Sequence, residues 1–116
     1  MPAISDTEVR DGPLVVHQVV APDSVRLALH GELDLSNAKT VELTLAEAFG
    51  SGKGVVVDLG KLEFLDSTGV SLLVTALGRP DAGKLSFLPS ASPEVTRLLE
   101  MTGLAERMGL DKSRRD

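Results

Sequence analysis

The sequence predicts one α/β domain, with a mixed, mostly parallel β-sheet of about four strands flanked by helices. Strand-like segments alternate with segments of helical period in the second half of the chain, which is typical of parallel strands joined by crossover helices. Val55 to Val57 form a continuous apolar run, as in a strand buried on both faces. The chain has 116 residues, 42% of them apolar, which is enough for one core. We predict a flexible lead-in over residues 1–12, the domain over 13–110 and a charged tail over 111–116.

The first part of the chain predicts a hairpin followed by a helix. The segment Leu14 to Val20 is rich in valine, and Pro22-Asp23-Ser24 after it is a turn cluster. Between Val25 and His30 apolar and polar residues alternate, which is the period of a half-buried strand. Ser36 is a candidate N-cap for the next helix. That helix is expected to end at Gly50-Ser51-Gly52, because glycine removes the steric bar to a left-handed turn.

The second part of the chain predicts two further helices and a strand between them. After a loop from Gly60 to Asp66, the segment Ser67 to Leu77 is apolar on nearly every side, which indicates a largely buried helix. Gly78-Arg79-Pro80 ends this helix, because proline cannot continue the hydrogen-bond ladder. The segment Leu85 to Leu88 is interpreted as a strand. Ser92-Pro93-Glu94 then begins a helix with a cap, a preset φ angle and an acid at the positive end of the dipole.

Composition excludes several classes of function. The formal net charge of −5 disfavours general attraction to nucleic acid, and we expect no direct nucleic-acid partner. No apolar run approaches the roughly 20 residues that cross a bilayer, and the N-terminal stretch lacks the pattern of a secretory signal. The absence of cysteine fits a reducing compartment. We therefore expect a cytoplasmic protein with no membrane partner. The basic residues after Asp111 are interpreted as a solvated tail.

Enzyme and metal signatures are weak throughout the sequence. The run Gly50-Ser51-Gly52-Lys53-Gly54 resembles a phosphate loop, but its glycines leave a helix and enter a strand, which is the reverse of the required order. His17 and His30 lie on opposite arms of the predicted hairpin, where they could face each other. They have no carboxylate at ligand spacing, so we interpret them as exposed strand residues. Asp58 and Asp66 could form an acid pair, but without a nucleophile or metal partner they are better interpreted as loop-capping carboxylates. We predict no enzymatic activity, no metal and no cofactor.

The segment Asp66-Ser67-Thr68-Gly69 leaves two interpretations open. Any of the three side-chain oxygens at positions 66, 67 and 68 could cap the predicted helix, and on spacing alone this structural role is the stronger interpretation. Alternatively, a hydroxyl at the start of a helix is exposed at a predictable place. Phosphorylation there adds about 1.5 to 2 negative charges and three acceptor oxygens. The helix dipole would partly stabilise that charge, so the fold could survive while a partner surface is repelled.

Two short blocks of sequence, Gly31 to Asp34 and Phe64 to Val70, lie where a predicted strand or loop leads into a helix. They resemble two blocks of the STAS domain, in its bacterial anti-sigma-factor antagonist branch. The run Gly31-Glu32-Leu33-Asp34, between a strand and a helix, is similar to the family's Gly-Glu-Leu/Ile-Asp block. The run Phe64-Leu65-Asp66-Ser67-Thr68-Gly69-Val70 is similar to its Asp-Ser-[Ser/Thr]-Gly-[Leu/Val] block. Weaker support comes from Arg97-Leu98-Leu99-Glu100-Met101-Thr102-Gly103-Leu104. The resemblance covers roughly residues 14 to 105 in the right order.

The resemblance implies a non-enzymatic switch. Unphosphorylated members bind an anti-sigma factor that is also a serine kinase and so release a sigma factor for transcription. The kinase inactivates them by phosphorylating the serine after the Asp of the second block, and a phosphatase is a possible further partner. That serine is Ser67 here, with Thr68 as second choice. ATP belongs to the kinase. The implied partner-binding residues are Asp34, Asp66, Ser67, Thr68 and Gly69.

The C-terminus departs from the family pattern. Ala105 to Asp116 offers few apolar residues, so we expect the C-terminal helix to be short or missing. Two other functions remain open. One is a ligand-sensing STAS module that binds a nucleotide or another small molecule without phosphorylation. The other is a hydrolase with Ser67 as nucleophile, for which the sequence offers no recognisable base.

Overall fold

The computed structural model describes residues 5–110, which form one sheet and four α-helices. The strands are β1 (Ser5–Asp11), β2 (Leu14–Val20), β3 (Ser24–Leu33), β4 (Gly54–Leu65) and β5 (Leu85–Leu88). The helices are α1 (Ala38–Gly50), α2 (Ser67–Leu77), α3 (Pro93–Met101) and α4 (Leu104–Arg107), with a 3-10 turn at Ala82–Lys84 before β5. Among these residues no helix is both long and apolar enough to cross a membrane.

The sheet is mixed, with its strands in chain order from β1 to β5. The strands β1, β2 and β3 pair antiparallel, whereas β3, β4 and β5 pair parallel and are joined by helices. The predicted α/β fold class with a mixed sheet is confirmed, but the expected number of strands is wrong. The sheet is also not mostly parallel, because its antiparallel pairs are as numerous as its parallel ones. The additional strand is Ser5–Asp11, in the segment interpreted as a lead-in. Its first six residues are exposed, so its sequence carries no alternation of apolar and polar residues.

The strand β4 is longer than the sequence indicates. The residues from Gly60 to Leu65, predicted as a loop, continue it for half its length. The register with β3 shifts twice, between Ala28 and His30 and again between Gly31 and Glu32, so β4 carries an extra residue at each place. Such bulges break the period-2 pattern that identifies a strand. The buried residues of this part of β4 are therefore spaced by three: Leu59, Leu62 and Leu65.

The core lies between the helices and one face of the sheet. In the first halves of β3 and β4 alternate residues point to this face and are buried, while those on the opposite face are exposed or half-buried. All three longer helices contribute buried side chains to the core, among them Val41, Leu45 and Phe49 of α1, Leu73 and Ala76 of α2, and Val95 and Leu99 of α3. The packing leaves the carboxyl ends of β3 and β4 at one edge of the sheet, where each strand leads into a helix.

The C-terminal part follows the sequence closely. Ser92 caps α3 by accepting the Val95 N–H at 3.4 Å, and Pro93 is the first residue of the helix. Gly103, with φ of 77°, separates α3 from α4. The helix α4 has four residues, which confirms the expectation of a short C-terminal helix. The predicted charged tail, residues 111–116, lies outside the described residues.

Candidate functional site

The two sequence blocks meet where β3 and β4 end. Leu33 and Leu65 are register partners in the parallel pair, so the residues that follow them, Asp34 and Asp66, leave the sheet side by side. The Asp66 N–H donates to the Leu33 carbonyl at 3.3 Å, and this bond holds together the ends of β3 and β4. The structure thus brings together the predicted residues Asp34 and Asp66 from distant parts of the chain.

Asp66 is the residue that caps α2. Its backbone is extended, with φ of −97° and ψ of −175°, and its Oδ1 accepts the Gly69 N–H at 3.0 Å. This satisfies one of the N–H groups that have no partner within the helix. Its other oxygen, Oδ2, accepts the Leu35 N–H at 3.2 Å. Of the three candidate caps, the structure selects Asp66, and the two hydroxyls after it are released from that role.

Ser67 is the first residue of α2 and its side chain is exposed. No hydrogen bond within residues 5–110 engages its hydroxyl. Thr68 is half-buried and lines a groove of about 400 Å³ between α1 and α2. The Ser67 side chain is therefore more accessible from solvent than that of Thr68. At the N-terminus of α2 an added anion would also lie at the positive end of the helix dipole.

Asp34 organises the loop between β3 and α1. Its Oδ1 accepts the Ser36 N–H at 2.9 Å and the Ser36 hydroxyl at 2.6 Å. The prediction that Ser36 caps α1 is wrong, because its hydroxyl is used in this turn and the residue before the helix is Asn37. Asn37 is fully buried; its Oδ1 accepts the Asp34 N–H at 3.0 Å and its Nδ2 donates to the Glu32 carbonyl at 2.9 Å. Sequence reasoning missed Asn37, which occupies the N-cap position but whose side chain bonds the loop before the helix and no N–H group of the helix.

Glycines allow the close packing around this corner. A Cβ at Gly69 would lie 2.4 Å from Leu65 Cδ1 and 3.1 Å from Leu33 Cγ, so the first turn of α2 rests on the ends of both strands. Gly31 has φ of 99°, and a Cβ there would lie 2.1 Å from the Pro13 carbonyl oxygen. Gly31 is thus required by its backbone conformation and its contact with backbone, whereas Gly69 is required by the packing of two leucine side chains. Gly69 is buried against the ends of both strands, and its contact with a partner stays a prediction.

The remaining titratable candidates lie elsewhere. Asp58 is on the sheet face opposite the helices, where it accepts hydrogen bonds from Arg26 at 2.6 Å and from the Gly60 N–H at 2.8 Å. Partial burial acts to raise the pKa of Asp58, but these two hydrogen bonds and the nearby charges of Arg26 and His30 outweigh it and lower the pKa. Asp58 therefore has a local capping role and forms no acid pair with Asp66.

The two histidines lie on the same face of the sheet and line one groove, but they are not directly opposite each other. His17 is the register partner of Ala28 and is paired with Asp6, whereas His30 is the register partner of Val15. Neither histidine hydrogen-bonds Ser67, and both lie on the sheet face opposite α2. In the described part of the chain, no group of three or more His, Asp or Glu side chains is placed to hold a metal.

Comparison with known proteins defines the class to which this fold and site belong. The family model described as "Mlab, STAS domain" matches residues 16–110. Because the match spans most of the chain, the chain belongs to the STAS domain family. The resemblance of the two sequence blocks to the STAS domain is thereby confirmed.

Solved structures with a similar fold include anti-sigma factor antagonists. One from Mycobacterium paratuberculosis has a TM-score of 0.64 at 22% identity, covering 91% of this chain and 86% of that one. The antagonist SpoIIAA in its unphosphorylated form has a TM-score of 0.64 at 21% identity, covering 90% and 85%. The phosphorylated form of SpoIIAA, described as a Bacillus cell fate determinant, has a TM-score of 0.57 at 20% identity, covering 90% and 88%. At these identities the likeness concerns the fold.

Proposed function

We propose that this chain is an anti-sigma-factor antagonist whose partner binding is switched off by phosphorylation of Ser67. The observation that carries the proposal is the exposed Ser67 hydroxyl, without a hydrogen bond in the described residues, directly after the Asp66 cap of α2. Membership of the STAS family and the fold shared with anti-sigma factor antagonists support it. One of these antagonists is known in a phosphorylated form.

The local electrostatics suit a switch that preserves the fold. A phosphate on Ser67 would lie at the N-terminus of α2, where the dipole and free N–H groups favour negative charge. The modification would also lie beside the Asp66 carboxylate, with Asp34 leaving the sheet next to it. A partner surface that fits closely over this corner would have to desolvate the phosphate and the neighbouring carboxylates together. Phosphorylation of Ser67 therefore weakens the binding of the partner, whereas the fold of the chain remains stable.

The implied partner is an anti-sigma factor of the serine-kinase type, which binds ATP itself. In this proposal the unphosphorylated chain binds that factor in the cytoplasm and releases a sigma factor. A phosphatase would restore the unphosphorylated form. The chain itself requires no cofactor and performs no catalysis.

Phosphate mapping tests the proposal. The purified chain is incubated with kinase-type anti-sigma factors of its own organism and ATP, and the phosphate is located by mass spectrometry. We expect label at Ser67, loss of label in Ser67→Ala, and retained label in Ser71→Ala, because Ser71 is an exposed serine of the same helix. Absence of label at Ser67, together with unchanged binding by Ser67→Asp, would overturn the proposal.

A further inference from the structure

An exposed leucine, Leu35, lies close in the structure to the Asp66 cap that precedes Ser67. Leu35 is 76% exposed, the largest value for any large apolar side chain among residues 5–110. Its N–H donates a hydrogen bond to Asp66 Oδ2, and Ser67 is the next residue after Asp66 in the sequence. Leu35 and Ser67 are therefore both adjacent to Asp66. Scattered apolar residues on a surface need no explanation. The way the backbone around Leu35 is held distinguishes it from such residues.

The loop that carries Leu35 is fixed on both sides. Before it, the Asp34 N–H donates to the Oδ1 of the fully buried Asn37, and after it, Ser36 donates twice to Asp34. The Asn37 N–H also donates to the Asp34 carbonyl at 3.2 Å. A buried amide, a carboxylate and a hydroxyl therefore hold in place the backbone that carries one exposed apolar residue. Such preorganisation of the loop reduces the entropy that its backbone loses when it binds a partner.

We propose that Leu35 is the apolar anchor by which the unphosphorylated chain binds its anti-sigma factor, inserting into an apolar pocket of that partner. The proposal rests on the proposed function. Three polar residues, Asp34, Ser36 and Ser67, surround Leu35. They would form the polar rim that surrounds an anchor residue in a protein interface. This arrangement also explains why a phosphate on Ser67 would be effective. A phosphate beside an apolar contact must be desolvated without a compensating partner, which opposes binding.

The affinity of Leu35 variants tests the inference. The probe is the anti-sigma factor that binds the unsubstituted chain, and the dissociation constant is measured by calorimetry. We expect Leu35→Ala to weaken binding at least about tenfold. Leu35→Met, which conserves volume, should retain most of the affinity. The matched control is Met101→Ala, because Met101 is 74% exposed at the C-terminal end of α3 and should change binding by less than about twofold. Thermal unfolding should be the same for all three variants.

The outcomes separate this inference from the proposed function. If Ser67→Asp abolishes binding while Leu35→Ala binds as tightly as the unsubstituted chain, the inference is overturned and the proposed function stands. An equal loss in Leu35→Ala and Met101→Ala would also overturn it. If no anti-sigma factor binds the unsubstituted chain, the proposed function fails and the inference fails with it.

Discussion

The Asp66 carboxylate joins Leu35 to the start of α2. Its Oδ2 accepts the Leu35 N–H at 3.2 Å while its Oδ1 accepts the Gly69 N–H at 3.0 Å. One side chain therefore holds the loop that follows β3 and the helix that follows β4. The exposed Leu35 and the exposed Ser67 are both positioned through it, so the two sides of the candidate site depend on one residue.

Replacing Asp66 with alanine should destabilise the protein by about 1 to 2 kcal/mol, because the cap of α2 is lost and the Leu35 N–H loses its acceptor. The free energy of unfolding is measured by urea denaturation. Ser92→Ala is the matched control, since Ser92 caps α3 in the same way. Both variants should lose stability, but only Asp66→Ala should also weaken binding of an anti-sigma factor. Equal effects of the two on binding would contradict the role given to Asp66.

Gly69→Ala should destabilise the protein by about 1 to 2 kcal/mol. Alanine is favoured over glycine within a helix by about 1 kcal/mol, but the added Cβ would lie 2.4 Å from Leu65 Cδ1 and 3.1 Å from Leu33 Cγ. The strain is expected to exceed the gain. At Gly50, the last residue of α1, an added Cβ would have no neighbouring atom within 4 Å, so Gly50→Ala should be neutral or slightly stabilising. Urea denaturation measures both variants. A stable Gly69→Ala variant would mean that α2 can move away from the strand ends.

Asn37→Asp should cost about 3 kcal/mol or more. The substitution replaces the Nδ2 group that donates to the Glu32 carbonyl with an acceptor, in a fully buried position. Urea denaturation again measures the change. Ser36→Ala removes an exposed hydroxyl from the same loop and should cost less than about 1 kcal/mol. Similar losses for both variants would contradict the assignment of Asn37 as the residue that closes the loop.

Asp58→Asn should change how stability depends on pH. Since the pKa of Asp58 is lowered in the folded protein, its carboxylate stabilises the fold above the unfolded pKa, and this contribution is lost as the pH falls through the folded pKa. At about pH 6 the Asp58→Asn variant should therefore have a lower free energy of unfolding than the unsubstituted chain. The difference should be no more than about 1 kcal/mol, because Arg26 is half-exposed. It should shrink as the pH falls toward about 2. Urea denaturation at both pH values measures it. A loss that does not vary with pH would contradict the ionic origin.

Local signals in the sequence were sufficient for several elements. The predicted helix from Ser67 to Leu77 coincides with α2, and the predicted strands Leu14–Val20 and Leu85–Leu88 coincide with β2 and β5. The cap and proline at Ser92 and Pro93 also begin α3 as expected. In each case the determining chemistry lies within a few residues of chain. Two of the errors, the missed strand β1 and the bulged second half of β4, lie where pairing with another strand overrides such signals.

The sequence by itself determined the family, the position of Ser67 at the start of α2 and the two blocks that form the site. Only the tertiary structure decided among Asp66, Ser67 and Thr68 as the cap, placed Leu35 against Asp66 and assigned the buried Asn37 to the loop. The physical reason is that a helix start can be recognised from neighbouring residues, whereas the partner of each carboxylate oxygen depends on the register of β3 and β4. That register places Leu33 beside Leu65. It thereby brings the loop after β3 next to Asp66 and Ser67 at the start of α2.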